Sequence, residues 1–144
     1  AGNVETSQRI VDVLYGALAG VKGLEVLERE YPLRVSRYSV RRGSGGRGRR
    51  RGGDGVVREI VFSSDCDVTI LSDRRKFAPY GLRGGAPGLR GRNTLVRRGH
   101  LVRLPSKVAF RAVSGDALRI ETPGGGGYGG RRSRRRSAPE HMEG

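Results

Sequence analysis

From residue 31 onward the apolar positions of this chain recur mostly at every second residue. Tyr31 to Val40 reads as a strand: Leu33 and Val35 alternate, and Tyr38 and Val40 resume after a slip of one residue, the mark of a β-bulge. Val56 to Phe62 and Asp67 to Leu71 follow as strands, with Ser63 to Cys66 as the turn between them. Thr94 to Val96 and Leu101 to Leu104 pair as a hairpin across Arg98-Gly99-His100. Lys107 to Val113 sets Val108, Phe110 and Ala112 on one face. After the turn Ser114-Gly115-Asp116, Ala117 to Thr122 is a last strand. Short strands at this spacing predict a sandwich or barrel-like β unit.

Before residue 31 the period changes. Ile10, Val11, Leu14, Leu18 and Val21 follow helical spacing and predict a helix over Asn3 to Ala19, with Gly20 and Gly23 to end it. Asn3 and Thr6 are candidate N-caps, and Glu5 stands in the first turn, where the helix dipole favours an acid. Leu24 to Glu30 adds a short second helical turn. Two readings of the helix stay open: an amphipathic helix packed on a sheet, or one whose start turns Glu5, Gln8 and Arg9 toward a ligand. From Gly130 the only core-forming residue is Met142, so the end reads as disordered. The expectation is therefore an α+β chain, mainly β. It has an N-terminal helical segment (1–30) packed on a β domain (31–129), then an Arg-rich tail (130–144).

The stretch Asp73 to Asn93 fits neither period. Its prolines and glycines forbid a long regular element, yet Phe77, Tyr80, Leu82 and Leu89 give it apolar groups to bury. A long loop between strands is a place for function, or a surface connection pinned by a few apolar groups. Composition sharpens the β reading: 25 of 144 residues are glycine, Trp is absent and there are three Phe, so the core falls to Val, Leu and Ile. The formal charge of +15 is concentrated in Arg41, Arg42, Arg47, Arg49, Arg50 and Arg51 and in Arg131, Arg132, Arg134, Arg135 and Arg136. Setting those eleven aside leaves 18 basic residues against 14 acidic. The clusters predict non-specific polyanion binding, but neither contains an aromatic residue for base stacking. The lone Cys66 fits a reducing compartment, and no apolar run reaches the ~20 residues of a membrane span.

Several motifs are excluded by context. Gly43-x-Gly45-x-x-Gly48 and Gly124-x-Gly126-x-x-Gly129 have dinucleotide-type spacing but open no helix, so they lack the phosphate site that spacing serves. There is no Walker-type sequence. His100 and His141 have no second ligand at metal-binding spacing, so no metal site is expected.

Four stretches in order carry a family resemblance. Asn3-Val4-Glu5-Thr6-Ser7-Gln8-Arg9-Ile10-Val11-Asp12 looks like a helix start. Tyr31-Pro32-Leu33-Arg34 leads to Ser44-Gly45-Gly46 and Arg51-Gly52-Gly53-Asp54-Gly55. Arg74-Arg75, Pro79-Tyr80-Gly81-Leu82, Gly84-Gly85 and Pro87-Gly88 form a central loop. Thr122-Pro123-Gly124-Gly125-Gly126-Gly127-Tyr128-Gly129 is a closing glycine box. Together they resemble the C-terminal part of the hydantoinase B / oxoprolinase family, most of all its ATP-dependent members that open 5-oxo-L-proline to L-glutamate. The resemblance implies a cytoplasmic, oligomeric enzyme whose ATP and Mg are handled by a hydantoinase A-like region, with no cofactor bound by this chain. It makes Arg9, Arg74 and Arg75 candidates for facing an anion, with Glu5 and Asp73 as polar partners; alternatively these arginines brace the loop through ion pairs. The pattern is broken where Arg50 replaces an aromatic residue, Asp73 a Glu and Ser106 a Gly, and where Gly130 and the basic tail follow the glycine box. The expectation is a fragment that contributes site walls and is not active alone. The alternative is a small basic binding or assembly subunit, for example on RNA.

Overall fold

The structure, a computed structural model, describes Glu28 and residues 31–130. Its regular elements are seven strands: β1 (Leu33–Arg41), β2 (Gly55–Phe62), β3 (Cys66–Leu71), β4 (Arg92–Arg97), β5 (His100–Leu104), β6 (Lys107–Ala112) and β7 (Ala117–Glu121). Five make one sheet in the order β1-β2-β7-β4-β5, and β3 and β6 form a separate ribbon. All pairings are antiparallel. Phe62 and Leu118 from the sheet and Ile70 and Ala112 from the ribbon are buried together, flanked by Leu33, Ile60, Val68, Leu104, Val108, Phe110 and Ile120. Burying each large side chain stabilises the sandwich by roughly 1.5–3 kcal/mol.

The expected α+β class is corrected to all-β: the described residues contain strands and no helical element beside the sheet. The physical reason is that the sheet's apolar face is covered by the β3-β6 ribbon, which supplies the opposing side chains itself. Asn3 to Ala19, with Glu5 and Arg9, and the tail arginines from Arg131 lie outside the described residues.

The bulge lies where the apolar phase slips, between Val35 and Arg37. It keeps Leu33, Val35, Tyr38 and Val40 on the face shared with Val56, Arg58, Ile60 and Phe62 of β2. The core ends before Tyr38 and Val40, which remain exposed; the Arg58 guanidinium sits 5.3 Å over the Tyr38 ring. The β4-β5 hairpin turns on Arg98 and Gly99 alone, both at positive φ (49° and 80°), and His100 already belongs to β5. Two positive values describe the twist-matched two-residue turn. The turn into β7 is held by Asp116, whose buried carboxylate accepts from Arg97 Nη2 at 2.6 Å and from Val113 N at 3.1 Å. The Arg97 hydrogen bond holds the Asp116 carboxyl below the usual carboxylate range, against the opposing effect of burial.

The glycine-rich stretches form a second structural region without a continuous ladder. Residues 123–129 run through its middle. Gly125 N donates to Gly53 O and Gly125 O accepts from Gly46 N, both at 2.8 Å. Gly127 N donates to Ala86 O at 2.9 Å, Gly127 O accepts from Leu82 N at 2.8 Å, and Tyr128 exchanges main-chain bonds with Arg50. Backbones approach so closely here that a Cβ on Gly126 would overlap the Tyr80 carbonyl, and one on Gly52 the Gly125 carbonyl. The logic is that of a collagen axis, where only glycine fits between neighbouring chains. Asp54 closes the first stretch by accepting from Gly45 N (2.8 Å), Gly43 N (3.2 Å) and Arg51 Nη2 (2.9 Å). The bond from Gly45 is the main reason its carboxyl titrates below the usual range.

Candidate functional site

The loop between β3 and β4 is anchored at both ends by polar contacts. Arg75 donates from Nε and Nη2 to Asn93 Oδ1 at 3.2 and 3.0 Å, and from Nη1 to the Asp73 carbonyl at 2.7 Å. Its guanidinium lies against Gly91, where an added Cβ would come within 2.6 Å of Nη1. Asn93 is fully buried, and its Nδ2 donates to Ser72 Oγ (2.9 Å) and Pro105 O (3.2 Å). Arg41 pairs with Glu121 at 3.1 Å and donates to Arg90 O and Thr122 O, tying the sheet edge to the loop's end.

Two of the expected site residues therefore have structural contacts within the loop. Arg74, at φ 55°, stacks its guanidinium 5.8 Å over Tyr80, and its carbonyl accepts from Gly91 N. Arg75 is half-buried. Burial pulls its pKa down from the usual very high value, the Asp73 carboxylate opposes this, and the charge of Arg41 adds to it. Asp73 itself is exposed and meets Arg75 hydrogen-bond donors through its carbonyl, not its carboxylate. The structure brings Asp73, Arg74 and Arg75 together on one turn of the loop. Glu5 and Arg9 lie outside the described residues.

Beside Arg75 opens a cleft of about 280 Å³, lined among others by Lys76, Arg92, Asn93, Arg103 and Ser106. Arg75, Lys76, Arg92 and Arg103 make its lining cationic, and among the described residues no carboxylate belongs to it. Sequence reasoning missed Lys76, Arg92, Asn93 and Arg103. One signal was available: Asn93 shares its face of β4 with the buried Leu95, and a polar residue at an inward position implies a buried network.

Each described carboxylate other than Asp73 has a structural partner. Besides Asp54 and Asp116, Glu59 pairs with Arg119 at 2.7 Å, Asp67 with Arg111 at 3.7 Å, and Glu121 with Arg41. Asp65 accepts from Ser114 N and Glu28 from Val35 N. The arrangement can attract and orient an anion; its acids hold the scaffold. Among the described residues no group of three or more His, Cys, Asp or Glu side chains could hold a metal ion, and no helix is long and apolar enough to cross a membrane. The glycine stretches do not fit a nucleotide's phosphates either, since the amides of Gly46, Gly52, Gly85, Gly88, Gly125 and Gly127 already donate to main-chain carbonyls.

Two sequence expectations change here. Phe77, Tyr80, Leu82 and Leu89, expected to bury their side chains, are 70, 68, 56 and 53 % exposed. The first arginine cluster does acquire an aromatic neighbour, because Tyr128 is brought beside Arg49 and Arg50 from 78 residues along the chain from Arg50.

The chain is 47% identical over 107 residues to the 5-oxoprolinase of Saccharomyces cerevisiae, covering 73% of this chain and 8% of that protein. It is 42% identical over 125 residues to the 5-oxoprolinase of Dictyostelium discoideum, covering 86% and 9%. The fold is shared with the ATP-dependent caprolactamase from Pseudomonas jessenii, at a TM-score of 0.62 and 24% identity over 74% of this chain and 20% of that one. The chain thus spans less than a tenth of the length of these 5-oxoprolinases. Residues 20–131 match the family Hydantoinase B/oxoprolinase, and the chain belongs to that family.

Proposed function

We propose that this chain is a wall-forming β segment of a 5-oxoprolinase-type hydrolase, which opens the lactam of 5-oxo-L-proline to L-glutamate with ATP, and that it has no turnover alone. The observation that carries this reading is the unmet burial along the loop. Phe77, Tyr80, Leu82 and Leu89 stand exposed, and relatives about nine times longer have further protein to cover them. ATP and Mg enter through a hydantoinase A-like region; in this chain the amides of Gly46, Gly52, Gly85, Gly88, Gly125 and Gly127 already donate to main-chain carbonyls. The loop's arginines add positive potential to the shared site, where charge on the developing oxyanion is stabilised by fixed cations.

The test is a chimera. The matching segment of the Saccharomyces cerevisiae 5-oxoprolinase is replaced by residues 20–131 of this chain, and ATP-dependent cleavage of 5-oxoproline is measured. Activity within about tenfold of the parent is expected, against none for this chain alone. A folded chimera without turnover overturns the proposal.

A further inference from the structure

We propose that the cleft beside Arg75 is a binding site for a small tetrahedral dianion of the phosphate class. This inference does not depend on the hydrolase reading. Four cationic side chains, Arg75, Lys76, Arg92 and Arg103, line one concavity to which none of the described acids belongs. At its base Arg75 is half-buried, and its three hydrogen bonds end on neutral oxygens, two of them to the Asn93 amide and one to the Asp73 carbonyl. A buried charge is ordinarily matched by an opposite one. Here the Asp73 carboxylate, which favours the charged guanidinium, is exposed, and Arg41, which disfavours it, is itself paired with Glu121. The described lining of the cleft is cationic, and none of Arg75's hydrogen bonds goes to a carboxylate, so an incoming anion breaks no carboxylate hydrogen bond at Arg75.

The geometry is also fixed in advance. Asn93 is fully buried and bonded to Ser72 and Pro105 O, so it is a positioning residue that holds the Arg75 fork in one orientation. Three of the five guanidinium N–H groups serve that purpose, which leaves two for a ligand. Arg92, at the start of β4, and Arg103, on β5, come from neighbouring strands. Planar guanidinium forks suit phosphate oxygens. The volume, about 280 Å³, admits inorganic phosphate or a compact phosphate ester and is small for a whole nucleotide.

The experiment is calorimetric titration of the full chain with inorganic phosphate, and separately with a simple phosphate monoester, at near-physiological salt. The double variant Arg92→Gln/Arg103→Gln changes exposed or rim side chains and leaves the Arg75 network intact. It is expected to weaken phosphate binding by about tenfold or more. Arg49→Gln/Arg50→Gln, in the other cluster, is expected to leave it unchanged. Tighter binding of the ester than of phosphate identifies the ligand as a phosphorylated molecule; equal or weaker binding identifies it as the free ion. No binding, or binding equally reduced by both double variants, overturns the proposal, the latter by showing general attraction to a basic chain. Because the readout is binding by this chain and not turnover by the chimera, the two proposals fail independently.

Discussion

The sandwich and the glycine bundle lie in one chain but are held together in opposite ways. In the sandwich, Phe62, Ile70, Ala112 and Leu118 fill the space between two layers, and stability comes from side chains that are present. In the bundle, main chains touch because side chains are absent, and the bonds run from amide to carbonyl between Gly125, Gly53 and Gly46, and between Gly127, Ala86 and Leu82. The two regions therefore tolerate opposite errors. Removing atoms damages the first, and adding them damages the second.

The comparison can be broken by substitution. The largest effect is expected from Phe62→Ala, which empties the centre of the sandwich and should cost about 3–5 kcal/mol in chemical denaturation. Gly126→Ala should cost about 3 kcal/mol by the opposite route, since its new methyl meets the Tyr80 carbonyl, a backbone atom that cannot rotate away. A smaller effect is expected where charge is involved. The folded-state pKa of Asp116 is lowered, so its contribution is complete above the unfolded value and lost as pH falls through the folded one. The stability gap between the native chain and Asp116→Asn should therefore be constant near neutrality and shrink below about pH 4, measured as denaturation midpoints against pH. The smallest change is expected at the hairpin. Arg98→Asn places a residue suited to positive φ in the Arg98-Gly99 turn and should raise stability by about 0.5 kcal/mol.

The same contrast explains what could be read from the chain beforehand. Strands leave an alternating trace, and all seven were visible, as was the β1 bulge at the slip before Tyr38. Sheet membership was not, because the turn Ser63 to Cys66 looks like a hairpin whether β3 returns beside β2 or crosses to pair with β6. The bundle was illegible for a deeper reason. Glycine carries no pattern of inside and outside, so Gly43 to Gly55 and Gly124 to Gly129 showed only a spacing that opens no helix and the boxes of a family resemblance, although they pack against one another. Of the site, Arg74 and Arg75 were picked out by their motif, but Lys76, Arg92 and Arg103 converge on Arg75 only once β4, β5 and the loop are folded. Tyr128 shows the same limit, since only the bundle brings it beside Arg49 and Arg50.

Adjacent glycines test the bundle most directly. A Cβ on Gly52 would overlap the Gly125 carbonyl, whereas one on Gly53 meets nothing within 4 Å. Measured side by side in denaturant, Gly52→Ala should lose about 3 kcal/mol, with Gly53→Ala within about 0.5 kcal/mol of the native chain. If both alanines were equally harmless, the segments could not be packed backbone to backbone, and the interlocked bundle would be contradicted.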